Sequence, residues 1–221
     1  ILLLLAIEAT VRWGVRMNSV IYETMKSRVV PGIIGAATKS TSPIKRWLQV
    51  STLPQPVSIV FGRLYEETMN DLIDQSVEYE VITNSSEKTY ITPDCQLTNV
   101  SKGNKDVDVL FRKGNVIYYR EVKCNLSLDS EKSKVTAQKV QNISSRLKIL
   151  FPDCEINFAI LNMDWDGKKT DMHDVRIEYA GEFINRLGIE SISKQNYLNI
   201  GQQLGRDYLE GVNGRKTKPL I

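Results

Sequence analysis

The chain has 221 residues, 42% of them hydrophobic and 25% charged, which is the balance of a globular protein and excludes a disordered or collagen-like one. Its 29 basic residues face 26 acidic ones, for a formal charge of +3, so an acidic partner has to be met by a local basic patch. The single histidine, His173, excludes sites that need two or more imidazoles, among them HExxH zinc hydrolysis, His-Asn-His nucleases and facial-triad iron.

His173 lies in the polar run Asp171-Met172-His173-Asp174, and no GxSxG is present, so it reads as a surface residue and not as part of a hydrolase triad. Cys95, Cys124 and Cys154 are odd in number and show no CxxC spacing. Neither a disulfide framework nor a structural zinc site is expected, and a reducing, cytoplasmic compartment is. The apolar run that opens the chain stops at Glu8, too short to span a membrane, so no membrane partner is expected.

In chain order, residues 1 to 30 read as helical through Leu4, Ile7, Val11 and Val15. Prolines and glycines from Pro31 to Pro56 predict irregular structure to residue 58. A helical period resumes over 59 to 77, carrying Glu66 and Glu67, and short β-rich pieces at 79 to 83 and 89 to 92 flank a polar turn. From Asp106 to Lys123, strict alternation is interrupted by Gly114-Asn115, which predicts a β-hairpin. Asp129 or Ser130 caps a long helix to Leu150, striped by Val140, Ile143, Leu147 and Leu150 and stopped before Pro152. Then come a buried strand at 155 to 161, a polar loop from 162 to 174, a strand at 175 to 179, and helices near 181 to 188 and 193 to 212. No repeat or linker divides the chain, so one α/β domain is expected: an extension over 1 to 58, a core over 59 to 161 and a second extension over 162 to 221.

The hairpin carries the chemistry. A two-residue turn at Gly114-Asn115 sets Lys113 opposite Val116, Asp108 opposite Glu121 and Asp106 opposite Lys123, and the period of two puts Asp106, Asp108, Glu121 and Lys123 on one face. Directly opposed Cβ atoms are about 4.5 to 5.5 Å apart, where like charges destabilise a sheet. A divalent cation shared by Asp108 and Glu121 would offset the repulsion; Mg²⁺ is commonly held by one or two carboxylates with water and phosphate completing its shell. Lys123 would add a point charge beside an attacking water or phosphate. The competing explanation is a solvated edge hairpin with a salt bridge. Asp166-Gly167-Lys168 repeats the acid-x-Lys triplet in a polar loop, and there the competing explanation holds.

Asp108, twelve intervening residues, then Glu121-Val122-Lys123 resembles the motif of the PD-(D/E)xK nuclease superfamily. The element order helix, three strands, helix, strand over about 60 to 161 is similar to its αβββαβ core, a mixed sheet flanked by helices. Within the superfamily the chain looks most like a type II restriction endonuclease. The resemblance implies Asp108 and Glu121 as metal ligands, Lys123 as catalytic lysine, Mg²⁺ as cofactor, and Glu66, with Glu67 as rival, as an accessory acid. It also implies double-stranded DNA as substrate, 5′-phosphate products, a homodimer and a cognate DNA methyltransferase in the same cell; the apolar helix faces of Leu4, Ile7 and Val11 or of Tyr197, Leu198, Leu204 and Tyr208 either pair with a second copy or pack onto the core. The literal Pro-Asp pair, Pro93-Asp94, stands further upstream; register favours Asp108 over Asp94 and Asp106. A repair or junction-resolving nuclease, or a non-catalytic DNA-binding domain on the same core, are the alternatives. Lys102, Lys105, Lys132, Lys134, Lys139 and the tail from Arg215 to Lys218 are candidate phosphate contacts.

Overall fold

The computed structural model describes residues 55–216 apart from 84–86, 125, 127, 190 and 191, together with Glu23. The expected N-terminal helix with Leu4, Ile7 and Val11 and most of the loop after it lie outside the described residues, as do Thr217 and Lys218. Contacts divide the chain into two compact units, Met69–Gly188 and the combination of Ile1–Thr68 with Ile189–Ile221.

The fold is mixed α/β. Helix α1 runs Gln55–Asp74, four residues ahead of its expected start, because a proline is tolerated in a first turn, where its missing N–H has no helical partner to lose. The β-rich stretch that follows does not form one strand. β1 (Glu80–Val81) joins the main sheet beside β5 (Val109–Lys113), whereas β2 (Thr89–Ile91) pairs with β3 (Leu97–Thr98) and β4 (Lys105–Val107) in a small separate sheet.

The hairpin forms in the expected register. β5 pairs antiparallel with β6 (Val116–Lys123) from Lys113↔Val116 through Val109↔Arg120. β6 then pairs in parallel with β7 (Glu155–Asn162). A parallel neighbour needs a crossover, which α2 (Ser130–Leu150) supplies, capped by Asp129 accepting from the Lys132 backbone N–H. The sheet continues past residue 161 through β9 (Val175–Tyr179), parallel to β7, to an edge strand β8 (Asp171–Met172), giving the order β1-β5-β6-β7-β9-β8. His173 and Asp174 both have positive φ, 49° and 65°, as a two-residue turn between β8 and β9 requires. His173 is exposed, as expected, and its Nε2 lies 2.9 Å from Ser133 Oγ.

Both faces of this sheet are buried. On one, Ala137, Val140, Ile143 and Leu147 of α2 join Leu110, Ile117, Tyr119 and Ile160 in a single core cluster. On the other, Tyr79, Phe111, Tyr118 and Phe183 form a chain of ring contacts, the last from the short helix α3 (Ala180–Arg186).

In the other unit, α4 (Lys194–Lys216) buries Tyr197, Leu204 and Tyr208 within the chain, and the Tyr197 hydroxyl lies 3.0 Å from that of Tyr65. Leu198 is half-buried. Among the described residues no helix is long and apolar enough to cross a membrane.

Candidate active site

Asp108 occupies the break between β4 and β5, where the chain passes from the small sheet to the main one. The break is held from several sides. Asn70 Nδ2 donates to the Asp108 carbonyl at 3.3 Å, Thr83 donates to Asn70 Oδ1, and the Leu110 N–H donates to Thr83 Oγ at 3.0 Å. The Val122 N–H of β6 donates to Asp108 Oδ2 at 2.8 Å. The Asp108 carboxylate is thereby fixed beside the residue that follows Glu121, although the regular ladder stops one pair earlier.

Asp106 does not lie opposite Lys123 as register alone predicts. The change of sheet pairs Asp106 with Tyr90, and Lys123 pairs with Asn162 of β7. Asp106 still faces the same cluster from the small sheet, accepting from Lys88 Nζ at 3.1 Å, and its Oδ1 is buried without a hydrogen-bond partner.

Glu121 sits near the C-terminal end of a central strand, only 1% exposed, and Asp108 is 8% exposed. A solvated edge hairpin is thus overturned, because β1 and β7 flank the two hairpin strands and α2 covers this face. Glu121 Oε1 accepts from Lys123 Nζ at 2.7 Å; Oε2 accepts from the Tyr119 hydroxyl at 2.8 Å and pairs with Lys139 Nζ at 2.6 Å. The same Lys139 nitrogen is 3.5 Å from Asp108 Oδ1 and 3.8 Å from Asp106 Oδ1. One ammonium, delivered by α2, therefore faces three carboxylates delivered by β4, the β4–β5 break and β6.

These charges set one another. Burial disfavours the Glu121 carboxylate, but Lys123 and Lys139 outweigh it and hold its pKa below the usual range. Burial likewise disfavours the Lys123 ammonium, and Glu121 and Asp108 reverse that, raising its pKa. Lys139 is raised well above an ordinary lysine, against its burial, by Asp108 and Glu121. Burial, then Glu121 and Asp108, push the Tyr119 hydroxyl far up, so it stays a neutral donor. Lys123, three-tenths exposed, faces a cleft of about 590 Å³ lined by Leu128, Lys132, Val135 and Thr136.

Asp108, Glu121 and Lys123 are brought together as the motif implies. Glu66 and Glu67 both lie half-buried on α1, in the other compact unit, and Glu67 pairs with Arg63 at 3.4 Å. Pro93-Asp94 is an exposed turn closed by a Cys95 N–H to Thr92 carbonyl bond of 3.0 Å. Asp166-Gly167-Lys168 is an exposed loop, and its glycine is needed because a Cβ there would run into the Tyr179 ring. Lys132 and Lys134 are exposed on α2, and Lys102 and Lys105 before the hairpin.

Sequence reasoning does not place two participants beside the carboxylates: it does not single out Tyr119, and it reads Lys139 only as a candidate phosphate contact. The available signal was position: Lys139 follows Thr136 by one turn and adjoins Val140, both buried, so it borders the stripe that faces the sheet.

Among the described residues no three His, Cys, Asp or Glu side chains are grouped so as to hold an ion by themselves. Asp108 Oδ1 and Glu121 Oε2 nevertheless face one cationic centre, and two carboxylates completed by water and phosphate are an ordinary Mg²⁺ set, so the donors fit that ion. The chain matches no family model, no curated protein and no solved structure.

Proposed function

We propose that the chain is a Mg²⁺-dependent endonuclease of type II restriction type, on a core of the PD-(D/E)xK kind, acting on double-stranded DNA. The observation that supports this most is the burial of Asp108 and Glu121 at the end of central strands with Lys123 bonded to Glu121. Uncompensated, such carboxylates would cost several kcal/mol each, about what removing one partner of a buried pair costs. Sites that keep paired acids and lysines beside an open cleft are candidates for chemistry.

Asp108 and Glu121 would hold the ion, with Asp106 beside them. When bound, Mg²⁺ would supply Lewis acidity, lowering the pKa of water and neutralising charge that develops on the phosphodiester. The chain's own groups do the rest. The Val122 N–H orients Asp108, and the Tyr119 hydroxyl orients Glu121. Lys123, bonded to Glu121 at 2.7 Å and open to the cleft, is placed to act as a positive charge toward the phosphate. Lys132, beside the cleft, meets the backbone of the substrate. Hydrolysis leaving a 5′-phosphate, action as a homodimer on a symmetric site, and a methyltransferase that protects the host DNA complete the proposal.

Incubation with plasmid DNA and Mg²⁺ tests it. Discrete fragments, lost on chelation, are expected. A smear or a preference for branched DNA would point to a repair or junction-resolving nuclease on the same core. Binding without any cleavage would favour a non-catalytic DNA-binding domain.

A further inference from the structure

The nuclease reading gives Lys139 at most a phosphate contact, yet its ammonium lies against three carboxylates. Its distances are 2.6 Å to Glu121 Oε2, 3.5 Å to Asp108 Oδ1 and 3.8 Å to Asp106 Oδ1. Among the described residues, Lys88 on Asp106, Lys123 on Glu121 and Lys139 itself set three ammonium groups against the three carboxylates. A divalent cation added to this arrangement would bring two positive charges beside these ammonium groups, and it would need the same carboxylate oxygens that Lys139 faces. Like charges at such separations, partly shielded from water, repel strongly.

We infer that Lys139 is a built-in counterion that occupies the position of the divalent cation and is exchanged for it. The inference rests on the metal-dependent reading of the site. Three features of Lys139 suit it to leave. Its side chain is about one-quarter exposed, 24%; its stem has four rotatable carbons; and it springs from α2, the helix that also borders the cleft through Lys132, Val135 and Thr136. Released from the carboxylates, the ammonium is free to meet a substrate phosphate on that side. Asp106 Oδ1, buried without a hydrogen-bond partner, then gains a cation within reach in place of the distant ammonium. Lys139 thereby holds the carboxylates together before the ion arrives and sets how tightly the ion binds.

The test is Mn²⁺ binding, measured by calorimetry at one fixed pH without DNA, for wild type, Lys139→Met, Lys139→Gln and Lys139→Arg. Removing the charge is expected to tighten Mn²⁺ binding at least about tenfold in Lys139→Met and Lys139→Gln, since the ion no longer displaces a cation. Lys139→Arg keeps the charge and should bind no more tightly than wild type. In parallel, Lys139→Met should melt at a lower temperature than wild type in chelator and recover more of that loss when Mn²⁺ is added. Lys139→Gln, which retains a donor for Glu121, keeps the comparison open if the methionine variant folds poorly. Equal affinity in wild type and both neutral variants would overturn the exchange while leaving the metal site standing. No Mn²⁺ binding by wild type or any variant at millimolar concentration would overturn the metal-dependent reading and the exchange with it.

Discussion

Arg120 and Glu121 are neighbours in sequence and point to opposite faces of β6, and each belongs to a buried charge network. The two networks differ in completeness. Arg120 is wholly buried; its Nε pairs with Glu178, also wholly buried, while its other nitrogens donate to the Tyr119 and Asn157 carbonyls and to Asn157 Oδ1. Arg186 closes the other oxygen of Glu178 at 2.6 Å, and the Arg120 guanidinium lies over the Tyr118 ring, 5.6 Å from its centre. Around Glu121, by contrast, two of the partners are lysines beside the Tyr119 hydroxyl, Lys123 opens on a cleft, and Asp106 Oδ1 is buried without a hydrogen bond. A saturated network made with planar guanidinium groups ties β6 to β9 across β7. An unsaturated one made with mobile ammonium groups can exchange partners, which is what a site for ions and phosphates requires.

The largest effects should fall on the Glu121 side and on activity. Glu121→Gln is expected to abolish cleavage in a Mg²⁺-supplemented plasmid assay while DNA retention in a gel-shift experiment stays equal or tightens, because repulsion of phosphate is reduced. Loss of both together would make Glu121 a folding residue like Glu178. Lys123→Ala should lower turnover by about two to three orders of magnitude, the scale of losing one preorganised charge in a water-poor site. Lys132→Ala should instead weaken binding and flatten its salt dependence by about one unit of slope. Equal turnover losses at the two lysines would remove the distinction between them.

On the Arg120 side the effect should be on stability. Arg120→Met leaves Glu178 with less than its full set of partners, and a loss of about 3 to 5 kcal/mol in chemical denaturation is expected. The double change Arg120→Met with Glu178→Leu should recover part of that loss, since an apolar replacement of a buried pair is often tolerated. No recovery would mean that Arg186 or Asn157 depends on the pair.

Acid should report on both faces together. The folded-state pKa values of Glu121 and Glu178 lie below the ordinary glutamate value of about 4.5, held down, against their burial, by Lys123 and Lys139 and by Arg120 and Arg186 respectively. Each therefore adds stability that is complete above that value and disappears as pH falls through the lower folded-state pKa. Melting temperature should be flat near neutrality and drop steeply below about pH 4.5, with a shallower drop in Glu121→Gln. The smallest effect belongs to the α2 cap: Asp129→Ala should cost about 1 kcal/mol and leave the cleavage pattern unchanged.

These contrasts also mark what could be read before the structure. Hairpin register was legible because a two-residue turn at Gly114-Asn115 leaves one pairing, and Lys113↔Val116 through Val109↔Arg120 follows from it. That Asp106 leaves the ladder was not, because the change of sheet at Asp108 depends on Tyr90, Asn70 and Thr83, partners that no local pattern names. Alternation assigned Glu121 and Arg120 to opposite faces but could not tell that both faces are covered. Arg120 finds Glu178 across β7, and Lys139 reaches Glu121 from a helix; such pairings appear only once the crossover is folded. The long helix and its cap were readable at Asp129 and Leu150, whereas the early start of α1 was hidden by reading Pro56 as a breaker.

The claim on which the rest depends is that the acid at the β4–β5 break, and not the one in the literal Pro-Asp turn, serves the reaction. Supercoiled plasmid incubated with Mg²⁺ and either Asp108→Asn or Asp94→Asn tests it in one gel. Intact plasmid with Asp108→Asn and wild-type cleavage with Asp94→Asn is the predicted result; cleavage retained by Asp108→Asn and lost in Asp94→Asn would contradict it.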